Sequence, residues 1–251
     1  MNPRFTKQKV LVAGAGSGLG RAIALAFATE GARLALLGRT ERTLQQTLEA
    51  LPGEGHVIQT ADITDASGIS SAVAELTTRL SGLDIAINTA GALLQPSKFG
   101  DIDPLRAAQL FTTNVLGTWN VMSAELQQMR PAGAGVIINF SSTIGAHRTM
   151  PGFAAYGASK AAVSAMSRAA ALDHIAEGIR IAVISPGSSD TEMSFRAGED
   201  ETQRAARVAR TNPSGRLASL DEISAATLFL ASPASGYTVG ADLVIDGGTS
   251  A

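Results

Sequence analysis

The sequence of 251 residues contains no cysteine, only three histidines and few aromatic residues. The absence of cysteine excludes disulfide bonds, cysteine-ligated zinc, iron–sulfur clusters and thiol nucleophiles. The histidines, His56, His147 and His174, lie far apart and lack the spacing of metal ligands. We therefore expect no metal site.

The sequence also lacks any strong excess of one charge and any long apolar run. Its formal net charge is -2, so nothing electrostatic favours a nucleic-acid partner. No uninterrupted apolar run reaches the roughly 18 residues that a membrane helix needs. The N-terminus has no apolar segment followed by a small-residue cleavage site. We expect neither a membrane nor a nucleic-acid partner, and a cytoplasmic location, where the absence of cysteine suits reducing conditions.

Short apolar runs alternate with helix-periodic segments along the whole chain, and 45% of the residues are hydrophobic. The first such run, residues 9–13, is followed by a glycine-rich turn, a helical pattern and a second apolar run. This order predicts a βαβ unit. The alternation continues without an internal repeat or linker. It predicts an α/β fold in one domain, 1–251, with a doubly wound, mostly parallel seven-stranded sheet and helices on both faces.

The first turn carries Gly14, Gly18 and Gly20 in a G-x-x-x-G-x-G spacing, with Gly16 in addition. Glycines let the main chain turn sharply and approach a pyrophosphate, and the following helix offers free N–H groups and its dipole. A plain glycine-rich turn is the alternative. The strand before it and the helix after it favour a dinucleotide site.

The end of the second strand indicates which dinucleotide is preferred. A fold that prefers NAD usually has an acidic residue here, which binds the ribose 2′-hydroxyl. Here Gly38 is followed by Arg39, and no acidic residue stands at the strand end. A small residue leaves room for a 2′-phosphate, which an arginine can bind. This favours NADP(H), with NAD(H) possible and Arg42 as an assisting residue. A solvated loop charge is the alternative for Arg39.

Tyr156 and Lys160 stand four residues apart in a helix-like pattern, so their side chains share one face. A phenol has a pKa of about 10, and a nearby cation favours its ionised form. Such a phenol can exchange a proton with an oxygen near neutral pH. The alternative is a chance pairing on a solvated helix face.

Other polar residues occupy positions that allow two interpretations. The segment 56–63 predicts the third strand, and Asp62 lies at its end, where it could accept from an adenine amino group; alternatively, Asp62 or Thr64 caps the next helix. Asn114 lies inside the second of two predicted helices, where it either kinks the helix or holds a water chain. The polar composition of the segment of about 188–215 predicts an irregular, mobile lid. A helix follows it, capped by Ser219 or Asp221.

These features together resemble the short-chain dehydrogenase/reductase family in its compact form of about this length. The motifs occur in the family's order: the glycine turn, Asn88-Thr-Ala-Gly91, Ser142, Tyr156-x-x-x-Lys160, Pro186-Gly187 and Asp246-Gly-Gly248. The resemblance implies a Rossmann fold. Thr89 and Ser185 depart from the family's usual residues, but no reacting group is missing.

The resemblance also implies residue roles. Tyr156 would be the general acid/base, Lys160 would lower its pKa and bind the nicotinamide ribose, and Ser142 would orient the substrate carbonyl. Asn114 would hold a water that connects Lys160 to solvent. Ser141 is the alternative to Ser142, although Ser142-x-x-Gly145 fits the family better. The implied cofactor-binding residues are Gly14, Ser17, Gly18, Leu19, Gly20, Arg39, Asp62, Ile63, Asn88, Ala90, Gly91, Tyr156, Lys160, Pro186, Gly187, Ser189 and Thr191.

The implied function is an NADPH-dependent reduction of a small-molecule ketone, either 3-oxoacyl-like or small, or the reverse oxidation of a secondary alcohol. Apolar residues near Leu93, at 147–153 and at 193–195 are expected to line the substrate pocket. Family members assemble through helix pairs, so we expect a homotetramer or homodimer. Two alternatives remain: a non-catalytic NADP(H)-binding sensor, and a non-redox enzyme such as an epimerase or dehydratase on the same scaffold.

Overall fold

Seven short apolar segments become strands because each is rich in aliphatic residues and is covered by helices on both sides. The computed structural model describes residues 3–251. The strands form one sheet of order β3-β2-β1-β4-β5-β6-β7, and each neighbouring pair is parallel. Their bounds are β1 Lys9–Ala13, β2 Arg33–Gly38, β3 Val57–Thr60, β4 Ile85–Asn88, β5 Gly135–Phe140, β6 Ile179–Pro186 and β7 Asp242–Ile245. The predicted doubly wound, seven-stranded sheet is confirmed.

Helices cover both faces of this sheet. Their bounds are α1 Gly18–Thr29, α2 Glu41–Ala50, α3 Ala66–Leu80, α4 Pro104–Phe111, α5 Gly117–Met129, α6 Thr143–Ala146, α7 Ala154–His174, α8 Glu201–Thr211 and α9 Leu220–Ala231. One core contains residues of α1, α2 and α9, and the other contains residues of α3, α5 and α7. Alternate residues of β1 enter the two cores, because successive side chains of a strand point to opposite faces.

Three local predictions differ from the structure. The two helices predicted from Pro104 onwards are joined without a break, because residues 112–116 form a π-helical turn between α4 and α5. The third strand ends at Thr60, before the Ala-Asp-Ile that the prediction included. Helix α3 is capped by Asp65, whose carboxylate accepts from the Gly68 N–H, and not by Asp62 or Thr64.

The predicted irregular lid is also partly wrong, because its second half is helix α8. Asp200 caps this helix by accepting from the Gln203 N–H, and the Gln203 side chain accepts from the Asp200 N–H, which completes a capping box. A second capping box, from Ser219 and Glu222, starts α9 and selects Ser219 over Asp221.

The strand order places the sequence motifs at one edge of the sheet. β1 lies between β2 and β4, so the direction of winding reverses there. In open α/β sheets a crevice forms at such a reversal, beyond the carboxyl ends of the strands. The glycine turn follows β1, Arg39 follows β2 and Gly91 follows β4, so all three border the crevice. None of the helices within residues 3–251 is both long and apolar enough to cross a membrane.

Candidate active site

The glycine turn is packed tightly against the loop that follows β4. Gly14 has a φ of +89°, and a Cβ on it would lie 2.6 Å from Thr89 Oγ1 and 2.8 Å from the Ala90 nitrogen. A Cβ on Gly20 would overlap the Gly14 carbonyl oxygen. Thr89 Oγ1 also donates to the Ala13 carbonyl at 2.8 Å. At Gly14 and Gly20 the structure therefore requires glycine.

The N-terminus of α1 is exposed to the crevice with its N–H groups available. Ser17 occupies the cap position, but its side chain makes no capping hydrogen bond within the part of the chain that the structure describes. The first turn of α1 contains no acidic residue that would repel an anion. Uncapped N–H groups and the helix dipole bind phosphate groups. A dinucleotide pyrophosphate therefore fits here, beside Gly18, while the partly buried Leu19 packs on the core below.

The end of β2 brings Arg39 close to Asp62. The pKa of Asp62 is lowered mainly by hydrogen bonds from the N–H and hydroxyl of Thr64, with a smaller contribution from the positive charge of Arg39. Arg39 itself is exposed, and the adjacent Gly38 has no side chain to fill the space at the strand end. The geometry therefore leaves a cation and a carboxylate together where the adenosine half of a dinucleotide would lie.

Two of the predicted adenosine contacts point into the interior instead. The Ile63 side chain packs against α5, where a Cβ on Gly117 would lie 2.7 Å from Ile63 Cδ1. The Asn88 amide is buried and donates to Glu125 Oε2 and Asn139 Oδ1, each at 2.9 Å. These two side chains are structural, so any contact with a ligand would involve their main chain.

Asn114 lies in the π-helical turn and is fully buried. Its amide donates to the Ala92 carbonyl and to Ser159 Oγ, each at 3.0 Å, and its Oδ1 accepts from the Ala92 N–H at 2.7 Å. Asn114 thus ties the loop after β4 to α7. The interpretation of Asn114 as a residue at a helix irregularity is correct, and its role in a water chain stays a prediction.

Lys160 lies beside Asn114 at the floor of the crevice. Its Nζ donates to the Phe140 carbonyl at 2.9 Å, and burial lowers its pKa to about 8. A Cβ on Gly91 would lie 3.3 Å from both Lys160 Nζ and Asn114 Oδ1. A side chain at Gly91 would therefore crowd both the ammonium and the Asn114 amide.

Tyr156 and Ser142 form the second part of the cluster. Burial raises the pKa of the Tyr156 phenol, and its hydrogen bond with Ser142 acts in the opposite direction. The raised pKa is opposite to the lowering by Lys160 that we expected, because desolvation is the larger effect. The phenol therefore stays protonated near neutral pH. The Phe153 ring packs edge-on against Tyr156, with 6.5 Å between ring centres.

The choice between the two serines follows from their contacts. Ser141 Oγ is buried and donates to the Lys160 carbonyl at 2.8 Å, so it is part of the packing between β5 and α7. Ser142 lies close enough to the Tyr156 phenol to oppose the rise of its pKa, and it begins the short helix α6, where its Oγ accepts from the Ile144 N–H. Ser142 is therefore the better candidate for contact with a substrate, and this role stays a prediction.

The loop after β6 closes the other side of the crevice. Gly187 follows Pro186, and a Cβ on it would lie 2.7 Å from the Asp246 Cα. Ser189 is buried and pairs with Ala218. Thr191 lies against the glycine turn, with its Cγ2 3.6 Å from the position of a Cβ on Gly18.

Two basic side chains near the expected substrate pocket have polar neighbours of their own. His147 Nε2 lies 3.1 Å from the buried Asp242 Oδ2. Arg148 donates to the Thr249 carbonyl at 3.3 Å. Asp242 therefore lies against His147, and the Thr249 carbonyl takes one N–H of the Arg148 guanidinium. Among residues 3–251, no three His, Asp or Glu side chains come together in a way that could hold a metal ion.

Sequence reasoning missed two groups of residues. Glu125 is fully buried beside Asn88, and the only signal was one acidic residue inside the apolar pattern of α5. Arg204 and Arg207 were assigned to an irregular lid, although they lie on α8 and contact the loop before it. The spacing of Asp200 and Gln203 was a capping-box signal that could have revealed this helix.

The chain is similar to known proteins along nearly its whole length. Residues 14–250 match the family model described as "Enoyl-(Acyl carrier protein) reductase". The chain is 37% identical to galactitol 2-dehydrogenase (L-tagatose-forming) of Cereibacter sphaeroides over 94% of this chain and 92% of that one. It is 32% identical to cis-4-hydroxycyclohexanecarboxylate dehydrogenase of Sinomonas cyclohexanicum over the full length of both. The crystal structure of levodione reductase superposes with a TM-score of 0.93 at 30% identity, covering 98% of this chain and 99% of that one.

Proposed function

Because this chain belongs to the short-chain dehydrogenase/reductase family, whose members oxidise alcohols or reduce ketones, we propose that it is an NADPH-dependent ketone reductase. The observation that carries the proposal is the cluster of Ser142, Tyr156, Lys160 and Asn114 beside the glycine turn. A proton donor and an anion-binding turn at one edge of a sheet suit a reaction that adds a hydride and a proton to a carbonyl.

The nicotinamide, when bound, supplies the hydride. The residues of this chain supply the proton and the hydrogen bonds around the carbonyl oxygen. Tyr156 donates its proton to that oxygen as negative charge develops there, and Ser142 donates a second hydrogen bond. The positive charge of Lys160 stabilises the phenolate that remains. The glycine turn, the N-terminus of α1 and the Ser189–Thr191 segment would hold the dinucleotide so that these groups meet the carbonyl.

The preference for NADP(H) rests on the end of β2. Arg39 is exposed there next to Gly38, and its charge is close enough to Asp62 to lower the pKa of that carboxyl. A guanidinium can donate two hydrogen bonds to a 2′-phosphate, whereas it has no matching partner on a ribose hydroxyl. Arg42, at the start of α2, is the second cation that could reach the phosphate.

The substrate is a neutral ketone or secondary alcohol, either 3-oxoacyl-like or small. Phe153 packs against Tyr156, and we expect Leu93, Leu94 and Met193 to add apolar surface around the substrate. His147 lies beside Asp242, whose negative charge disfavours a carboxylate there, and Arg148 donates one N–H to the Thr249 carbonyl. The levodione reductase likeness also supports a ketone as the oxidised substrate.

We propose that the protein is a homotetramer or homodimer in solution. Large apolar side chains are exposed along the α4–α5 region and on α7, where a second copy could cover them. They include Leu105, Leu116, Trp119 and Leu172, with Trp119 56% exposed. Light scattering after size-exclusion chromatography gives the mass directly, and a monomer at micromolar concentration would contradict this assembly.

The function is tested by mixing the protein with NADPH or NADH and a panel of neutral ketones, and following absorbance at 340 nm. The expected result is oxidation of NADPH, faster than of NADH, by at least one apolar ketone. Tight NADPH binding without turnover of any ketone or alcohol would instead indicate a sensor. Conversion of a substrate with no net change in NADPH would indicate a non-redox enzyme.

A further inference from the structure

Helix α8 turns an unusual set of side chains toward the rest of the protein. Most of its residues are exposed, and the three that are covered are Arg204, Arg207 and Val208. These positions are three and four residues apart, so they share one face. Two of the three inward residues are therefore arginines. A partly buried guanidinium needs a negatively charged or hydrogen-bonding partner.

Arg204 finds several partners in the loop that precedes α8. Its guanidinium lies 2.9 Å from Asp190 Oδ1, donates to Ser194 Oγ at 3.0 Å and stacks over the Phe195 ring at 3.9 Å from the ring centre. The side chain is only 11% exposed. An ion pair, a hydrogen bond and a cation–π contact thus converge on one planar group, which only arginine can satisfy together.

Arg207 secures the same loop one turn further along α8. It makes two hydrogen bonds to the Glu199 carboxylate, at 2.6 and 2.7 Å, and one to the Ser194 carbonyl at 2.9 Å. The Arg207 guanidinium holds the pKa of Glu199 well below its usual range. Residues 190–199 are therefore wrapped around two guanidinium groups.

The N-terminal end of this loop, at Asp190 and Thr191, lies at the cofactor side of the crevice. The Asp190 N–H donates to the Ala218 carbonyl at 3.0 Å, next to the pairing of Ser189 with Ala218. Thr191 follows immediately and packs against Gly18 of the glycine turn. Asp190, which pairs with Arg204, is therefore the direct chain neighbour of Thr191, which covers the glycine turn.

We propose that Arg204 is a positioning residue for the part of the cofactor site that Thr191 covers. It holds Asp190 and Phe195 so that Thr191 lies over the glycine turn, and it contacts neither substrate nor cofactor itself. This proposal rests on the NADP(H)-dependent function proposed above. A role for Arg204 as the receptor of an anionic substrate does not fit, because Asp190, Ser194 and Phe195 already occupy its guanidinium.

The test compares Arg204→Gln and Arg204→Lys with Arg210→Gln as the matched control. Arg210 lies on the same helix, is exposed, and makes no ion pair or side-chain hydrogen bond within residues 3–251. Glutamine removes the positive charge and the planar guanidinium with its paired N–H donors, whereas lysine keeps only the positive charge. Each variant is measured for hydrogen exchange of residues 190–199, for kcat and KM, and for the dissociation constants of NADPH and of adenosine 2′,5′-bisphosphate, which lacks the nicotinamide.

We expect Arg204→Gln to speed exchange in residues 190–199 by at least about tenfold and to lower kcat by about tenfold or more, because a displaced Thr191 misaligns the reacting groups. NADPH should bind several-fold more weakly, adenosine 2′,5′-bisphosphate should bind unchanged, and Arg204→Lys should lie between Gln and wild type. Asp190→Asn should add little to Arg204→Gln, because both remove the same ion pair.

Three results would overturn the proposal. These are unchanged exchange in Arg204→Gln, faster exchange with unaltered kcat and NADPH affinity, and an equal loss of adenosine 2′,5′-bisphosphate and NADPH binding. A general folding defect is identified by the melting temperature and by exchange in β1 and β4. A wild-type protein without turnover would refute the proposed function, but the exchange and binding measurements would still decide whether Arg204 holds the loop.

Discussion

Replacing Glu125 by glutamine should make the protein more stable, by an amount that increases with pH. Glu125 is fully buried, and its carboxyl accepts one hydrogen bond, from the Asn88 amide. Glu125 Oε1 and Asn88 Oδ1 are buried acceptors without a donor among the residues that the structure describes. A proton on the carboxyl supplies a donor that this cluster lacks. Burial accordingly raises the pKa of Glu125 from 4.5 to about 8.

The sign and size of the effect follow from proton linkage. Because the pKa of Glu125 is raised in the folded state, the folded protein binds more protons than the unfolded chain between about pH 4.5 and 8. Stability is therefore fully present below pH 4.5 and is lost as the pH rises. At about 1.4 kcal/mol per pKa unit, up to about 3 kcal/mol is lost by pH 7. Glutamine does not titrate, and it keeps an acceptor for Asn88 while adding a donor.

Urea denaturation at pH 5, 6, 7 and 8, at one protein concentration, measures this effect. The free energy of unfolding of Glu125→Gln relative to wild type should rise by about 3 kcal/mol from the acid end to pH 7. Glu54→Gln is the matched control, because Glu54 is exposed and has no side-chain hydrogen bond within residues 3–251. A stability difference between Glu125→Gln and wild type that stays constant from pH 5 to 8 would refute a protonated Glu125.

Two further predictions concern the site. Arg39→Ala should weaken NADPH binding about 10–100-fold, since a charge-assisted hydrogen bond contributes roughly 1.5–3 kcal/mol. NADH binding should change little. Equal losses of NADPH and NADH affinity in titrations would show that Arg39 does not bind the 2′-phosphate. The kcat/KM of ketone reduction should be level near neutral pH and fall above about pH 8, because burial lowers the pKa of Lys160 to about 8 and its ammonium loses a proton there. A profile that stays level to pH 10 would contradict this role of the Lys160 charge.

The sheet could be predicted because its signals are local. Each strand is a short aliphatic run, and the glycine turn and the Tyr156–Lys160 spacing depend on neighbouring residues in the chain. The alternation of strands and helices also determines which strand ends meet at the crevice. Only the Tyr156–Lys160 pair follows from a local pattern; Asn114 and Ser142 were implied by the resemblance to the family, and the catalytic roles of all four residues stay predictions.

The features that the sequence did not predict depend on long-range packing. The direction of the Asn88 side chain depends on Glu125, which lies on another element, so no local pattern reveals that this amide is structural. The raised pKa of Tyr156 follows from desolvation, which the spacing of Tyr156 and Lys160 does not contain. Helix α8 was missed because its inward face is made of arginines, which resemble a solvated surface in the sequence.

The most direct test of the proposed catalysis is Tyr156→Phe, measured for both turnover and NADPH binding. The substitution removes one oxygen atom, the proton donor, and leaves the ring and its contact with Phe153 in place. We expect the turnover rate to fall by at least about 10²-fold, in line with the loss of a general acid, and the NADPH dissociation constant to stay within about twofold of wild type. Turnover that persists at near the wild-type rate would contradict proton donation by Tyr156.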